Sequence, residues 1–266
     1  MIDTASTHAT KENLKNTAVS STKKKRLDLT VLEKGLVQSR QRARALIMMG
    51  KVFVNNLPVD KPGALVSDRD IILLKGDDNP YVSRGGLKLE KALDILDVNV
   101  QGLVCMDIGS STGGFTDCLL QSGAERVYAV DVGYGQLAWK LRQDSRVVVM
   151  ERTNIRHMPR ESIPQPMDLV TIDVSFISLK IVVPAALKFA KKGTRILALI
   201  KPQFEVGKGK VGKGGVVRDP LLHDAVIKDL SEYFDKTGLL REHIIPSPLT
   251  GPKGNREFFI SLIKSR

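Results

Sequence analysis

The sequence predicts an α/β protein, in which a doubly wound, mostly parallel sheet follows a small α+β module. Three observations lead to this prediction. From about residue 84 to the C-terminus, short apolar runs alternate with stretches of helical periodicity. One of these runs, at residues 103–107, passes through a glycine-rich turn directly into a helix. A chain of 266 residues also has room for one large domain and one small domain.

The first segment, residues 1–24, is predicted to be a disordered basic tail. It is rich in Ser, Thr, Ala, Asn and Lys, contains no aromatic residue and leads into the basic run Lys23–Arg26. It lacks the apolar core of a secretory signal. The whole chain carries a net charge of +12, which favours a polyanionic partner, although many basic proteins are merely soluble.

Residues 25–76 are predicted to form a compact α+β domain. A first short helix begins near Leu27, and Ser39 is placed to cap a second helix. Arg40 and Arg44 share the outer face of that second helix, where a solvated basic surface is the ordinary interpretation of any single arginine. The other predicted bounds are Arg40–Met49 for the second helix, Val52–Val54 for one strand and Ile71–Leu74 for another.

Residues 77–83, which include Pro80, are predicted to be a linker, and residues 84–266 to form the large domain. The first helix of this domain begins near Arg84 and has an apolar stripe that includes Leu89 and Leu93. Lys88 lies at the border of that stripe. An isolated lysine in such a position ordinarily faces solvent.

The turn after the run Leu103–Asp107 is predicted to bind a ligand. Glycines and small hydroxyl residues there allow the backbone to approach a ligand closely. The spacing at this turn does not match the dinucleotide fingerprint, and the chain contains no phosphate-binding loop of the G-x-x-x-x-G-K-[ST] type. The residues of the turn are Gly109, Ser110, Ser111, Thr112, Gly113, Gly114 and Phe115.

Two carboxylates narrow the choice of ligand. Asp107 ends the first strand and Asp131 ends the next, where a carboxylate can accept hydrogen bonds from a ribose diol. A carboxylate in the turn repels a pyrophosphate but suits a cationic ligand, and S-adenosylmethionine, with its sulfonium and ammonium groups, fits both carboxylates. The alternative is that the two aspartates only cap the turns that follow them.

Beyond the turn, the alternation of strands and helices predicts a sheet covered on both faces. Asp173 and Lys201 fall at carboxyl ends of strands, where ligands of such sheets bind, and Asn154 follows a third strand. The predicted strands are Leu103–Asp107, Arg126–Asp131, Val147–Met150, Asp168–Asp173, Thr194–Ile200, His243–Pro246 and Glu257–Ile263. The predicted helices include Leu179–Lys191, which stops at Gly193, and Pro220–Lys236, which Asp219 caps.

The composition argues against several classes of protein. The two cysteines, Cys105 and Cys118, fall in the first strand of the sheet and in the helix after it, where burial is the rule. They provide neither a disulfide framework nor the ligand spacing of a zinc site, so we expect a reducing compartment and no metal. No apolar run approaches the length of a membrane span, and we therefore expect a cytoplasmic protein.

Several motifs, taken in order, resemble known families. Ser39–Ile47, followed by Gly50–Asn55, resembles the S4 RNA-binding domain. The whole chain from about Arg26 is similar to the TlyA family, in which an S4 domain is fused to a Rossmann-like, FtsJ-like ribose 2′-O-methyltransferase. The further segments that carry this resemblance are Tyr81–Leu89, Asp107–Asp117, Thr171–Leu179, Leu199–Glu205 and Gly251–Glu257.

The resemblance implies S-adenosylmethionine-dependent methylation of a ribose 2′-hydroxyl in 16S or 23S ribosomal RNA, or in both, with cytidine as the nucleoside and ribosomal subunits as partners. It maps the family's catalytic tetrad onto Lys88, Asp173, Lys201 and Glu257. It implies cofactor contacts from Asp107, the turn residues 109–115, Asp131, Asn154 and Asp173. RNA contacts are expected from Arg40, Arg44, Lys51 and Arg84.

The chemistry explains why such a tetrad is useful. A ribose hydroxyl is a poor nucleophile, so it must be aligned with the sulfonium methyl group and lose its proton during transfer. Lys201 is our candidate to hold or deprotonate that hydroxyl. The alternative is a purely structural salt bridge of four side chains across the sheet.

Two further alternatives concern the loop Gly207–Arg218 and the class of protein. The loop contains five glycines and three lysines, and it either closes over a nucleotide or is simply flexible and solvated. Members of the family are often labelled haemolysins, so a membrane-active or purely RNA-binding protein is the competing function. A complete tetrad would have no role in a pure binding module.

Overall fold

The computed structural model describes residues 24–37, 39–74, 79–207 and 209–265. The chain divides into two compact units, with the boundary between Asp78 and Asn79. The predicted tail at residues 1–24 lies outside the described residues except for Lys24. Residues 77 and 78 of the predicted linker lie outside them as well.

The first unit is a small α+β domain. Ser39 caps its second helix by accepting a hydrogen bond of 3.2 Å from the backbone amide of Arg42. Asn55 and Asn56 connect two antiparallel strands with positive φ angles of 50° and 67°, as a tight hairpin turn requires. Its elements are β1 (Lys25–Arg26), α1 (Leu27–Glu33), α2 (Arg40–Met48), β2 (Val52–Val54), β3 (Leu57–Val59), β4 (Leu65–Val66) and β5 (Ile72–Leu74).

The second unit alternates strands with helices, as the sequence predicts. Its elements are α3 (Arg84–Ile95), β6 (Val104–Ile108), α4 (Gly114–Gln121), β7 (Arg126–Val130), α5 (Trp139–Arg142), β8 (Val147–Met150), β9 (Met167–Ile172), α6 (Leu179–Ala186), β10 (Ala190–Ile200), α7 (Pro202–Glu205), α8 (Pro220–Asp235), β11 (Leu239–Pro246) and β12 (Phe258–Lys264).

These strands form one seven-stranded sheet in the order β11-β12-β10-β9-β6-β7-β8. The five strands from β10 to β8 run parallel, and β12 is antiparallel to both of its neighbours. Along β6, Met106 packs into a core with α6 and α8, whereas Cys105 packs into a second core with α3 and α4. This alternation covers both faces with helices, which confirms the doubly wound α/β fold.

The predicted helix Leu179–Lys191 is too long. The helix α6 ends at Ala186, and β10 already begins at Ala190. Pro184 cannot donate the backbone hydrogen bond of the helix interior, and a short 3₁₀ turn follows α6. Gly193 then lies in an irregularity of β10, with φ of +84°, rather than beyond a helix end.

The register of the sheet brings the site residues to one edge. Ile172 at the end of β9 lies opposite Ala198 of β10, and Ile200 lies opposite Phe258 of β12. Ile172 also lies opposite Ile108 at the end of β6. Residues just beyond these strand ends therefore meet along the carboxyl edge of the parallel strands.

Candidate active site

The turn between β6 and α4 requires glycine at three positions. Gly109 has φ of +84°, and a Cβ there would lie 2.4 Å from the carbonyl oxygen of Asp173. Gly113 has φ of +94°, and its Cβ would lie 2.2 Å from a methyl group of Leu141. A Cβ on Gly114 would lie 2.2 Å from the hydroxyl oxygen of Ser83. At these three positions the turn is packed too closely for a side chain. Ser111 and Thr112, between them, are exposed.

Asp131 is fixed beside this turn by two backbone amides. Its Oδ2 accepts a hydrogen bond of 2.8 Å from the amide of Ser111, and its Oδ1 accepts one of 2.7 Å from the amide of Gly133. The residue is half-buried. Because each carboxylate oxygen has a second acceptor site, Asp131 is prepared to accept hydrogen bonds from a ribose diol as well.

Asp107 lies beneath the turn and is fully buried. Its Oδ2 accepts a hydrogen bond of 2.7 Å from the hydroxyl of Thr116, and its Oδ1 accepts one of 3.2 Å from the hydroxyl of Thr171. Burial, with a smaller contribution from the nearby Asp173, raises the pKa of Asp107 to about 7 against the opposing effect of its hydrogen bonds from Thr116 and Thr171. The side chain therefore connects the end of β6 to α4 and to β9.

The four residues of the predicted tetrad form two ion pairs. The ammonium of Lys201 lies 2.5 Å from Oδ1 of Asp173 and donates a hydrogen bond of 3.3 Å to the hydroxyl of Ser175. The ammonium of Lys88 donates a hydrogen bond of 2.6 Å to Oε2 of Glu257. Asp173, Lys201 and Glu257 each adjoin an end of one of three neighbouring strands.

Lys88 is only 7% exposed, unlike the ordinary lysine at the border of a helix stripe. The cost of burying its charge is offset by Glu257, which is 2% exposed. Gly251 makes room for this carboxylate, because a Cβ there would lie 2.0 Å from Oε1 of Glu257. The buried pair therefore depends on close packing as well as on charge.

One exposed aromatic residue adjoins the tetrad and was missed as a site residue in the sequence. Phe176 lies three residues after Asp173, is 90% exposed and has φ of +64°. Its ring centroid lies 4.8 Å from that of Phe204, which follows Lys201 by three residues. An exposed aromatic side chain of this kind offers a flat surface on which a planar group can stack. An aromatic residue just beyond a strand's carboxyl end was the available signal.

Asn154 and the glycine-rich loop each form hydrogen bonds that involve a side-chain amide. The Oδ1 of Asn154 accepts hydrogen bonds from the amide and the guanidinium of Arg156. In the loop Gly207–Arg218, of which Lys208 lies outside the described residues, the buried amide of Asn255 accepts from Val217 N and donates to the carbonyl of Gly215. The C-terminal part of this loop is therefore held in place.

The predicted RNA-binding residues fall in both units. In the first unit, Arg40 and Arg44 line an open depression of about 620 Å³ on α2. Arg40 also donates a hydrogen bond of 3.0 Å to the fully buried carboxylate of Asp28, whereas Arg44 is simply exposed. Lys51 follows α2 in the same unit. Arg84, in the second unit, is exposed and donates weakly to the carbonyl of Thr250 at 3.4 Å.

The described part of the chain contains no group of three or more His, Cys, Asp and Glu side chains arranged to hold a metal ion. Within the same residues, no helix is long and apolar enough to cross a membrane. Carboxylates at neighbouring strand ends suit a cationic ligand that carries a ribose.

Comparisons with known proteins agree with this geometry. The model of FtsJ-like methyltransferases matches residues 81–264, and the model of the S4 domain matches residues 25–72. A protein of Bacillus subtilis with the provisional name rRNA methyltransferase YqxC is 50% identical over 244 residues, which cover 91% of this chain and 86% of the relative. The 16S/23S rRNA (cytidine-2′-O)-methyltransferase TlyA of Mycobacterium tuberculosis is 48% identical over 238 residues, which cover 89% of each chain.

A solved structure extends the comparison to the fold. A protein of Streptococcus thermophilus, provisionally described as a hemolysin, has a TM-score of 0.73 and 42% sequence identity with this chain. The match covers 91% of this chain and 89% of that one. The similarity thus spans both units.

Proposed function

This chain belongs to the TlyA family of FtsJ-like methyltransferases with an S4 domain, and from that premise we propose that it methylates the 2′-hydroxyl of a cytidine ribose in ribosomal RNA. The methyl donor in this proposal is S-adenosylmethionine. The observation that carries the proposal is the pair Lys201–Asp173, which adjoins the glycine turn at the carboxyl edge of the sheet. A second, buried ion pair completes the tetrad.

The residues around the turn fit this cofactor. We assign the ribose diol to Asp131, whose carboxylate two backbone amides hold in place. We assign further cofactor contacts to the turn residues 109–115, where glycine at three positions leaves no side chain to obstruct a ligand, and to Asp107, Asn154 and Asp173. When bound, S-adenosylmethionine supplies an electrophilic methyl group on a sulfonium.

The tetrad acts on the ribose. We assign to Lys201 the contact with the 2′-oxygen, and Asp173 fixes the position of its ammonium. As the oxygen attacks, its proton must leave to an acceptor within hydrogen-bond reach. An ammonium has no lone pair to accept it, so in this proposal Lys201 takes the proton of the hydroxyl as it passes one of its own to the carboxylate of Asp173. Lys88, held by Glu257, contributes positive potential where negative charge develops on the oxygen.

The choice of substrate is assigned to surfaces outside the tetrad. Arg40, Arg44 and Lys51 of the S4 domain would contact RNA phosphates, together with Arg84 of the methyltransferase unit. Phe176 would stack on a base near the reacting ribose. The S4 domain supports an RNA substrate, and the relatives' names support ribosomal RNA. We expect the protein to act in the cytoplasm, where ribosomal subunits are.

Mass-spectrometric mapping of ribosomal 2′-O-methyl groups tests the proposal. The parent chain and its Lys201→Ala variant are expressed in a bacterium that lacks an enzyme of this family. We expect a new 2′-O-methylcytidine with the parent chain and none with the variant. Ribosomal RNA without a new methyl group in the presence of folded parent protein would contradict the proposal. A haemolysin-like role would appear instead as lysis without RNA modification.

A further inference from the structure

The loop between β9 and α6, residues 173–178, holds a strained residue. Phe176 has φ of +64°, a region that bulky side chains rarely adopt, and it is almost fully exposed. Its side chain therefore gains little from burial that would offset this conformation. A strained residue of this kind persists only where the surrounding contacts fix it. The contacts made by residues 173–178 therefore show what fixes this conformation.

The far end of this loop is held by Glu205. The hydroxyl of Ser178 donates a hydrogen bond of 2.6 Å to Oε2 of Glu205, and the backbone amide of Leu179 donates one of 2.8 Å to Oε1. Both are charge-assisted hydrogen bonds, which are short and strong. The half-buried carboxylate also lies at the N-terminus of α6, where negative charge is favourable. We call these two hydrogen bonds the Glu205 clamp.

Glu205 is not simply the cap of α6. That helix already has an N-cap, because the Ser178 hydroxyl accepts a hydrogen bond of 3.1 Å from the amide of Lys180. Glu205 instead comes from α7, which begins directly after Lys201. The clamp therefore ties the loop that begins with Asp173 to the segment that follows Lys201.

Two other contacts join the same two segments. Lys201 reaches Asp173 and Ser175 at the near end of the loop, and Phe204 contacts the ring of Phe176 in the middle. The loop is thus fastened to α7 and its leading lysine at three places. Of these three contacts, the clamp involves neither the tetrad nor the exposed ring of Phe176. It can therefore be changed without altering a residue of the tetrad.

We propose that Glu205 is a positioning residue for methyl transfer: its clamp keeps residues 173–178 in the one conformation that aligns Asp173 with Lys201 and presents Phe176 to the RNA. This inference rests on the proposed function. Burial raises the pKa of Glu205, while its two hydrogen bonds and the ammonium of Lys180 favour the charged form and Asp229 opposes it.

The test compares Glu205→Ala and Glu205→Gln with a matched control, Glu232→Ala, in which an exposed glutamate of α8 is removed. Each full-length variant is assayed for kcat, for KM towards ribosomal subunits and for S-adenosylmethionine affinity. We expect Glu205→Ala to lower kcat/KM for RNA by about 10–100-fold, since small misplacements of reacting groups have effects of this size. Cofactor affinity should fall by much less than kcat/KM, since Glu205 holds the far end of the loop at Ser178 and Leu179, whereas Asp173 lies at the near end beside Gly109. Glu205→Gln retains an acceptor for the amide of Leu179 and should recover part of the rate.

Two readouts distinguish positioning from a general structural role. Hydrogen exchange of the amides at residues 174–179 should accelerate in Glu205→Ala, while the strands β6 and β9 keep the exchange of the parent. The factor by which Glu205→Ala lowers kcat/KM for RNA should also be smaller in a protein that already carries Phe176→Ala, because both substitutions act through the same loop. If Glu205→Ala fails to fold, Glu205→Gln carries the same two readouts.

Parent-like kinetics and parent-like loop exchange in the Glu205 variants would overturn the inference. Fully additive effects with Phe176→Ala would overturn it as well. The exchange experiment needs no methyl transfer, so it tests the clamp independently. Failure of the parent chain to methylate ribosomal RNA would instead count against the proposed function.

Discussion

Lys201 and Asp173 form an ion pair of 2.5 Å between residues that follow two adjacent parallel strands, β10 and β9. The pair lies at the carboxyl edge of the sheet, where ligands of doubly wound sheets bind. A side chain held so firmly by a neighbour has little positional freedom. A reacting hydroxyl placed against it would therefore be aligned at low entropic cost.

Lys201→Ala should abolish methyl transfer while leaving cofactor affinity nearly intact. The proposed role of Lys201 is confined to the reacting hydroxyl, and proton transfer by a positioned group typically contributes about 10²–10⁴-fold to the rate. Single-turnover assays on ribosomal subunits and calorimetry with S-adenosylmethionine measure the two quantities. The control is Lys192→Ala, which removes an exposed lysine from β10, the strand that precedes Lys201. A rate within about threefold of the parent would remove Lys201 from the mechanism.

Asp131→Ala should weaken S-adenosylmethionine binding by about 1–3 kcal/mol, the range for losing a hydrogen-bonding partner in a protected site. The substitution removes the carboxylate oxygens of Asp131, which the backbone amides of Ser111 and Gly133 hold in position by hydrogen bonds. Titration calorimetry measures the change. Glu125→Ala, just before the opposite end of β7, removes an exposed carboxylate and should leave the affinity unchanged. Equal affinities for both variants and the parent would contradict the assignment of Asp131.

The ionisation of Asp107 should make the unliganded protein less stable as the pH rises from about 4 to 7. Burial raises the pKa of Asp107 to about 7 in the folded protein, from an ordinary value of 3.8. Between these values the folded chain retains a proton that the unfolded chain releases, so the contribution is present at low pH and lost as the pH rises. Asp107→Asn should remove this part of the slope in denaturant unfolding.

Asp144→Asn is the matched control for this pH dependence. In the parent protein, the hydrogen bond from Arg146 lowers the pKa of Asp144 below 3.8. Asp144 therefore contributes stability that is lost only as the pH falls below that range. The slope between pH 4 and 7 should be the same in Asp144→Asn and the parent. A parent-like slope in Asp107→Asn would show that Asp107 is already ionised in the fold.

The sequence was sufficient for the order of strands and helices and for the glycine turn, because these follow from local periodicity and from glycine positions. It was not sufficient for the environment of Lys88. Helix periodicity placed that residue beside solvent, whereas Glu257, its partner, lies 169 positions away along the chain. Only the resemblance to a family joined the two. Contacts this distant in sequence leave no trace in a local pattern.

The conformation of Phe176 shows the same limit. Nothing in the run from Asp173 to Leu179 indicates a positive φ, and the residues that contact this loop, Phe204 and Glu205, lie in another segment of the chain. The end of α6 was missed for a related reason. The apolar spacing continues past Ala186, but β10 already begins at Ala190, which pairs with Met167 of β9, a strand 23 positions earlier in the chain.

Arg44→Ala should reduce the salt dependence of RNA binding by roughly one phosphate contact, and Arg40→Ala combined with it by roughly two. Arg44 is exposed on α2, whereas Arg40 also holds the buried Asp28. The double variant therefore needs a melting measurement beside the binding assay. Lys236→Ala, in the other unit, is a charge-matched control for Arg44→Ala. If the salt dependence of RNA binding is the same in Arg44→Ala and the parent, Arg44 faces solvent and does not contact an RNA phosphate.

The S4 domain and the methyltransferase unit should both be needed for activity on ribosomal RNA. The second unit, from Asn79 onward, carries the whole tetrad and the glycine turn, so a fragment that begins there should still bind S-adenosylmethionine. A ribose carries little sequence information, and target choice must come from RNA shape and from backbone contacts away from the reacting atoms. A second binding domain raises the effective concentration of the first, so its removal should reduce affinity for the subunit by about 10²–10⁴-fold.

The fragment and the full-length chain should therefore differ most at low enzyme concentration, where the linked domain matters, and should approach each other as the concentration rises. Methyl transfer to ribosomal subunits is measured for both across that range, after circular dichroism and cofactor binding have shown that the fragment folds. A full-length Arg44→Ala variant should fall between them, because it weakens the S4 contact without removing the domain. Equal rates at every concentration would mean that the methyltransferase unit alone selects its substrate.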